Sequence, residues 1–231
     1  MMKDIYSSVD TAKNAVFSVI FDVLAAICGI LGVVLTCDTY GVDTFIYYTN
    51  LSNVFAAAAC ILHAVFTIKE LITGNYFLHT AVKYIKLSAS VCVGITFFVV
   101  LTILAPAYGE NGYFFAFVWR EMKFVHLLCP LFTAIPFILF DKYPRLPMKA
   151  CHPALIPTYI YGLVSIYMNM IGKWYGPYFF LRIKSNPPHI TAIWFVVVAA
   201  ISYLIALVIL LFNGNRFHAI GNLIKFITKK K

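Results

Sequence analysis

Apolar residues occur along this chain in stretches of about 20, separated by short polar segments that contain proline or glycine. A helical stretch of that length matches the roughly 30 Å hydrocarbon core of a bilayer, whereas strands of a membrane barrel need only about 10 residues. The pattern therefore predicts an all-α polytopic membrane protein, a bundle of six transmembrane helices that forms one domain over residues 1–231. The predicted spans are about 14–36, 46–68, 84–105, 122–140, 154–171 and 190–212.

Composition and charge agree with this class. The chain is 62% hydrophobic and 12% charged, whereas soluble domains carry about 25% charged residues. Its net charge of +9 comes from Lys and Arg between and beyond the apolar stretches, which indicates contacts with anionic lipid headgroups rather than with nucleic acid. These basic residues are concentrated on the side of the bundle that holds the two termini, so both termini are predicted to be cytoplasmic.

The cysteines and histidines predict neither a metal site nor a cofactor. Six cysteines lie mostly inside apolar stretches, and no two of them form a CxxC pair. They do not cluster with histidines at the spacing of zinc ligands. We interpret them as small core residues.

A stripe of small and polar residues follows the second predicted span, which opens on "TFIYYTNLSN" from Thr44 to Asn53. Helical spacing places these residues on one face, and such stripes normally face the bundle interior or a wet cavity. Two alternatives stay open: Thr49 or Asn50 caps the helix, or Ser52 and Asn53 form interhelical hydrogen bonds. The stripe consists of Thr49, Ser52, Asn53, Ala56, Cys60 and His63.

A histidine lies near the start of the fourth predicted span, in "EMKFVHLLCP" from Glu121 to Pro130. An ionisable residue within a span indicates a functional site, although an imidazole that hydrogen-bonds a backbone carbonyl is a common alternative. The second and fourth spans both begin at the predicted outer face. Thr49 and His126 are therefore expected at a matching depth.

Together, Thr49 and His126 predict a catalytic pair. A threonine hydroxyl is a weak nucleophile that needs an adjacent base, and a neutral imidazole serves as one near pH 7. Lys123 lies on roughly the same helical face as His126, and a nearby cation favours the neutral imidazole. The supporting candidates, with the asparagines as oxyanion donors, are Asn50, Ser52 and Asn53.

Two further features stand out. Asp22 lies within the first span, where a lone carboxylate is costly, and His63 is expected at a similar depth on the inner side. We predict that these two side chains pair. The segment from Gly172 to Pro188 is aromatic and interrupted by glycine and proline, which predicts an aromatic belt at headgroup level or a re-entrant lid over a lipid-facing pocket.

Three stretches resemble one family of membrane proteins. They are "YYTNLSN" in the second span, "VHLLCPLFTAIPFILFD" in the fourth, and "YGLVSIYMNMIGKWYGPYFFL" from Tyr161 onward. They resemble the small six-span bacterial proteins related to the androgen-induced-gene and androgen-dependent TFPI-regulating proteins. The eukaryotic members are hydrolases of fatty acid esters of hydroxy fatty acids, with a membrane-embedded threonine and histidine. The resemblance implies that Thr49 is the nucleophile and His126 the base, and it implies a bacterial cell membrane.

Two functional hypotheses follow. The first is an intramembrane lipid esterase whose substrate is a fatty-acyl ester near the outer leaflet. The alternative is a non-enzymatic integral membrane protein that binds lipid or a membrane partner. Both have membrane lipids as partners, and neither needs a cofactor. A transporter is less favoured, because the sequence shows neither paired broken helices nor a chain of intramembrane charges.

Overall fold

The computed structural model describes residues 9–75, 80–141 and 145–213. These residues form helices and connecting segments without any strand, so the predicted all-α class is confirmed. We number the six principal helices along the chain. They are α1 (Val9–Tyr40), α2 (Tyr48–Thr73), α3 (Thr80–Val99), α4 (Cys129–Leu139), α5 (Ile156–Met170) and α6 (Pro188–Phe212).

Shorter helical pieces extend or connect these helices. The segment Val100–Leu104 continues α3 as a π-helix, and Phe124–Leu128 leads into α4 in the same form. A π-helical turn accommodates one extra residue in a helix and often occurs at functional sites. The other short pieces are Gly41–Ile46, Ala105–Ala107, Gly112–Phe117, Met148–Ala150, Cys151–Ala154 and Phe179–Leu181.

Four helical stretches are long and apolar enough to cross a membrane, which is compatible with an integral membrane protein. The stretch Phe124–Leu139 is apolar but shorter, and α5 has 15 residues. Each predicted span overlaps one principal helix, yet six crossings stay a prediction. The predicted location of the termini concerns residues 1–8 and 214–231, which lie outside the described residues. The four long stretches are Thr11–Ile46, Tyr48–Thr73, Thr80–Ala107 and Pro188–Phe212.

Close packing of α1 against α2 and the start of α4 depends on glycine. A Cβ atom on Gly32 would lie 2.5 Å from Val125 Cγ1, and one on Gly29 would lie 3.0 Å from the Asn53 carbonyl oxygen. Residues without a side chain at these two positions let the backbones approach, as is common between membrane helices. The first turns of α2 and α4 are thereby brought together on one side of α1.

The helix α3 lies at the centre of the bundle and contacts α2, α4 and α6. Its residues Leu87, Val91 and Val93 are fully buried. By contrast, one face of α1 exposes large apolar side chains, among them Ile20, Ile27 and Val34. Exposed apolar faces of this size match the bilayer as solvent rather than water.

Candidate functional site

Thr49 lies in the first turn of α2, next to a tyrosine from the segment that joins α5 and α6. The backbone N–H of Thr49 donates to the phenolic oxygen of Tyr178 at 3.3 Å, and the two hydroxyl oxygens are 3.5 Å apart. Tyr178 thus satisfies one of the N–H groups that the helix start leaves without an intrahelical partner. The Thr49 hydroxyl itself caps no backbone group of α2.

The supporting candidates are placed around the same turn. Asn50 donates from its amide to the Thr44 carbonyl at 3.1 Å, which ties α2 to the preceding segment. Ser52 donates to the Thr49 carbonyl at 2.8 Å and lies 3.0 Å from the Thr96 hydroxyl on α3. Both residues are buried. Their hydrogen bonds therefore fix the position of Thr49.

Asn53 connects α2 to the π-helical turn before α4. Its amide nitrogen donates to the Thr49 carbonyl at 2.7 Å and to the Val125 carbonyl at 3.0 Å. Both amide hydrogens are engaged by these bonds. This is the interhelical role that the sequence left open as an alternative, and an oxyanion donor role would require Asn53 to release one of these bonds.

His126 lies in the π-helical turn and is half-buried. Its Nδ1 atom lies 2.9 Å from the backbone carbonyl of Ala116, in the short helix Gly112–Phe117. Within the described part of the chain, no hydrogen bond joins Thr49 to His126. Lys123, expected beside His126, places its Nζ atom 5.3 Å from the centre of the Phe124 ring. The geometry observed for His126 is the carbonyl-bonded alternative, and the catalytic pairing stays a prediction.

A cavity of about 60 Å³ lies between α3, α5 and α6, with Thr49 in its wall. That volume holds several water-sized groups. Among the described residues, the wall is formed by apolar, aromatic and hydroxyl-bearing side chains and contains no charged one. Tyr159, Phe195 and Val198 line the cavity and are only half-buried, so they also reach the outer surface of the bundle. His126 is not part of this wall.

Most hydroxyl groups around the cavity are already paired. Tyr48 and Thr158 hydrogen-bond each other at 2.8 Å, and Tyr161 donates to the Ile46 carbonyl at 2.8 Å. The contact of 3.5 Å between Thr49 and Tyr178 is the weakest of the set. A ligand that replaces this contact therefore loses less hydrogen-bond energy than one that replaces any other hydroxyl contact of the cavity.

Tyr178 is held in place by the segment between α5 and α6. Asn169 at the end of α5 donates to the Trp174 carbonyl at 3.0 Å and accepts from the Ile183 N–H at 2.9 Å. Between these anchors, Gly176 has φ +92°, a conformation that favours glycine. Burial raises the pKa of the Tyr178 phenol, so it stays protonated and donates a hydrogen bond. The segment is thus partly buried in the cavity wall rather than being only an aromatic belt.

A second polar cluster lies away from the cavity, around His63 on α2. His63 Nδ1 is 2.7 Å from Asp22 Oδ2, which confirms the predicted pair. Three further groups, Lys86, Asp141 and Ser18, join it. Lys86 on α3 places its Nζ atom 2.6 Å from Asp22 Oδ1 and 2.6 Å from Asp141 Oδ2. Ser18 donates a hydrogen bond to Asp141.

Four residues of these two sites were not found from the sequence: Lys86, Asp141, Ser18 and Tyr178. Lys86 was predicted only as one of the basic residues that separate the apolar stretches, and Tyr178 only as part of an aromatic segment. The sequence assigned no partner to Asp141 or Ser18. A signal existed for Lys86, because it lies inside the third predicted span, on the same predicted side of the membrane as Asp22 and His63. No local pattern marks Tyr178, since its contact depends on the path of an irregular segment.

Comparisons with known proteins give no relative for this chain. No family model, no curated protein and no solved structure matches it. The observations available for function are therefore the apolar cavity with the hydroxyls of Thr49 and Tyr178, and the buried ion cluster around His63.

Proposed function

We propose that this membrane protein binds the acyl chain of a lipid in the cavity beside Thr49, with the acyl carbonyl at the hydroxyls of Thr49 and Tyr178. One observation carries the proposal: the cavity is apolar, with no charged side chain among the described residues of its wall, and the Thr49 and Tyr178 hydroxyls in that wall are 3.5 Å apart and only weakly bonded to each other. An acyl ester combines the same two properties, a long apolar chain and one uncharged acceptor. Sites for small ligands are commonly apolar with few polar groups that fix orientation.

The proposed membrane arrangement supports this ligand. The protein crosses the bacterial cytoplasmic membrane six times with both termini in the cytoplasm, and the start of α2 then lies in the outer half of the bilayer. A lipid reaches the cavity laterally, past the half-buried side chains of Tyr159, Phe195 and Val198. In this arrangement the carbonyl of an outer-leaflet lipid and Thr49 lie at similar depth.

The test uses a phosphatidylglycerol whose acyl chain carries a diazirine, incorporated in nanodiscs with the full chain. After irradiation, cross-linked peptides are mapped by mass spectrometry. Adducts are expected on the cavity-lining parts of α5 and α6. Ala199→Phe fills the cavity and should reduce these adducts at least about fivefold, whereas Ala200→Phe, on the exposed neighbouring position, should not. Equal loss or equal retention in both variants would contradict binding in the cavity.

A second candidate function is hydrolysis of the bound acyl ester by Thr49 and His126, as the family resemblance implies. One observation favours it: Asn53 bonds the carbonyls of Thr49 and of Val125, the residue before His126. The two candidate groups therefore belong to turns that one side chain bridges. Reorientation of the imidazole away from the Ala116 carbonyl is the movement this function requires.

The reaction has two steps, acylation of Thr49 and hydrolysis of the resulting ester. Thr49 Oγ1 attacks the acyl carbonyl while His126 takes the hydroxyl proton, and the proton then passes to the leaving alkoxide, which departs as an alcohol. Water attacks the resulting threonine ester, with His126 as the base. The products are a fatty acid and the regenerated Thr49 hydroxyl. The candidate donors to the developing oxyanion are the Tyr178 phenol and the Asn50 amide, which has to leave the Thr44 carbonyl to donate.

Labelling with a fluorophosphonate probe separates this function from binding alone. Thr49→Ala and His126→Ala should each abolish labelling. Thr39→Ala and His152→Ala change the same residue types at exposed positions and should retain labelling. Labelling that persists in Thr49→Ala would overturn hydrolysis by Thr49. Loss of labelling together with unchanged acyl cross-linking in His126→Ala, whose residue does not line the cavity, would support both binding and hydrolysis.

A further inference from the structure

The segment between α5 and α6 carries positive charge as well as the cavity-lining Tyr178. From Gly172 to Pro188 it contains three basic residues and no acidic one. In the proposed arrangement, five of the 18 Lys and Arg residues fall on the outer side, and three of these five are in this segment. Basic residues are normally depleted on that side, so their concentration here indicates a negatively charged ligand. The three residues are Lys173, Arg182 and Lys184.

Two limbs of this segment lie side by side, and glycine allows their close approach. A Cβ atom on Gly172 would lie 2.9 Å from Lys184 Nζ, and one on Gly176 would lie 2.8 Å from Arg182 Cγ. Asn169 holds both limbs, because it donates to a carbonyl of the first and accepts from an N–H of the second. The side chains of Arg182 and Lys184 therefore both fold back over the first limb.

The guanidinium group of Arg182 is held in place and keeps donors for a ligand. Its Nε donates to the Gly176 carbonyl at 3.1 Å, and its central carbon lies 4.4 Å from the centre of the Tyr175 ring. The second contact needs only the aromatic ring, which phenylalanine would preserve. Within the described structure, the two terminal nitrogens donate to no protein group. Such a planar fork matches the paired oxygens of a phosphate.

Neither cation is neutralised by a carboxylate of the described chain. The ion pairs found among the described residues involve the carboxylates of Asp22, Asp141 and Glu121, and none of them includes Arg182 or Lys184. Arg182 is half-buried and Lys184 is exposed, so a ligand has access to both. Basic side chains at a membrane surface attract anionic lipid headgroups.

The same segment connects these cations to the cavity wall. Leu181 lines the cavity and directly precedes Arg182, and Tyr178, which contacts Thr49, follows Gly176 by two residues. In a glycerophospholipid, only the glycerol unit separates the acyl ester from the phosphate. A lipid whose ester carbonyl lies at Tyr178 can therefore place its phosphate beside Arg182.

We propose that Arg182 and Lys184 bind the phosphate of an anionic glycerophospholipid whose acyl chain occupies the Thr49 cavity. This inference rests on the proposed function and adds the class of headgroup to it. Arg182 donates paired hydrogen bonds to the phosphate oxygens, and Lys184 contributes a point charge. A zwitterionic lipid carries its own cation next to the phosphate, so it gains less from these two residues.

The test compares phosphatidylglycerol and phosphatidylcholine that carry the same diazirine acyl chain, each as a minor component of phosphatidylcholine nanodiscs with the full chain. Phosphatidylglycerol should give at least about threefold more adducts on the cavity-lining parts of α5 and α6. Arg182→Gln and Lys184→Gln should each lower its adducts toward the phosphatidylcholine level and leave the phosphatidylcholine adducts unchanged. Lys149→Gln removes an exposed lysine on the predicted inner side and should keep the preference.

Equal adducts from the two lipids in wild type would overturn headgroup recognition and leave acyl binding in place. A preference that persists in both Arg182→Gln and Lys184→Gln would overturn it as well. Inorganic phosphate at millimolar concentration should not remove the preference. If it does, the site binds soluble phosphate, and the lipid assignment is wrong.

An absence of cavity adducts from both lipids would contradict the proposed function instead. Native mass spectrometry then tests the headgroup separately, by comparing how much of each lipid the purified wild type and Lys184→Gln retain. Preferential retention of phosphatidylglycerol that is lost in Lys184→Gln would support recognition of the phosphate by this segment. Equal retention of the two lipids by wild type would overturn it.

Discussion

Asn53 on α2 donates an amide hydrogen to the backbone carbonyl of Val125, at an N···O distance of 3.0 Å. The second amide hydrogen goes to the Thr49 carbonyl. The bond to Val125 satisfies an acceptor in a helical turn whose own hydrogen-bond pattern is irregular. One side chain thus holds the start of α2 against the start of α4.

Replacing Asn53 by alanine should lower the free energy of unfolding by about 1–2 kcal/mol, because two buried carbonyls lose a donor within the bundle. Thermal unfolding in detergent, followed by tryptophan fluorescence, measures the change. Asn111→Ala removes the same amide at an exposed position and should have almost no effect. Equal melting temperatures for the two variants would contradict a stabilising role of Asn53.

Replacing Lys86 by methionine should destabilise the protein by about 3–5 kcal/mol, since two carboxylates would stay buried without their shared cation. The double variant Lys86→Met with Asp22→Asn should recover part of this loss, because one buried charge is removed. Unfolding by increasing concentrations of a harsh detergent provides the comparison. Lys173→Met, on the exposed segment after α5, serves as the control. A double variant less stable than Lys86→Met would argue against charge compensation.

Replacing Gly32 by alanine should destabilise the protein by about 1–3 kcal/mol, because the new methyl group would lie 2.5 Å from Val125 Cγ1. The effect opposes the gain of about 1 kcal/mol that alanine normally brings to a helix. Val34→Ile adds one methylene to the exposed face of the same helix and should be neutral. Melting temperatures measure the change. If Gly32→Ala melts at the same temperature as wild type, close packing at Gly32 is contradicted.

Replacing Tyr178 by phenylalanine should weaken acyl binding about twofold to tenfold, since one hydrogen bond to the carbonyl is lost. Competition by an unlabelled lipid for cross-linking of the diazirine lipid gives the affinity. Because burial raises the pKa of the Tyr178 phenol, it stays a hydrogen-bond donor at neutral and mildly alkaline pH. Wild-type binding should therefore not weaken between about pH 7 and about pH 9. Tyr175→Phe on the same segment, at an exposed position, should bind normally.

The sequence predicted the helical class and the buried face of α2, and both followed from spacing. Thr49, Ser52, Asn53, Cys60 and His63 recur at helical intervals, and the structure buries all five. The pairing of His63 with Asp22 was also predictable, because both are ionisable and were expected at the same depth. The contact between two side chains can be predicted from their expected depth where a regular helix connects each residue to the membrane boundary.

Contacts that depend on irregular segments were not predictable in this way. Tyr178 reaches Thr49 through a segment whose path is set by Gly176 and by the two bonds of Asn169. The side chain of His126 is turned toward Ala116 by a π-helical turn, which helical spacing does not anticipate. The expected matching depth of Thr49 and His126 stays a prediction, and it did not determine which way the imidazole points.

The π-helical turn at Phe124–Leu128 also changes the rotation of the helix that follows it. One additional residue per turn rotates everything that follows by about 100° relative to a regular helix. Cys129 and Thr133 are completely buried in this rotated frame. Deleting Leu127 should restore a regular helix and turn these two residues away from the bundle interior, which cysteine accessibility to a maleimide would detect at Cys129. The presence of one residue in this turn thus determines which face of α4 is buried in the bundle.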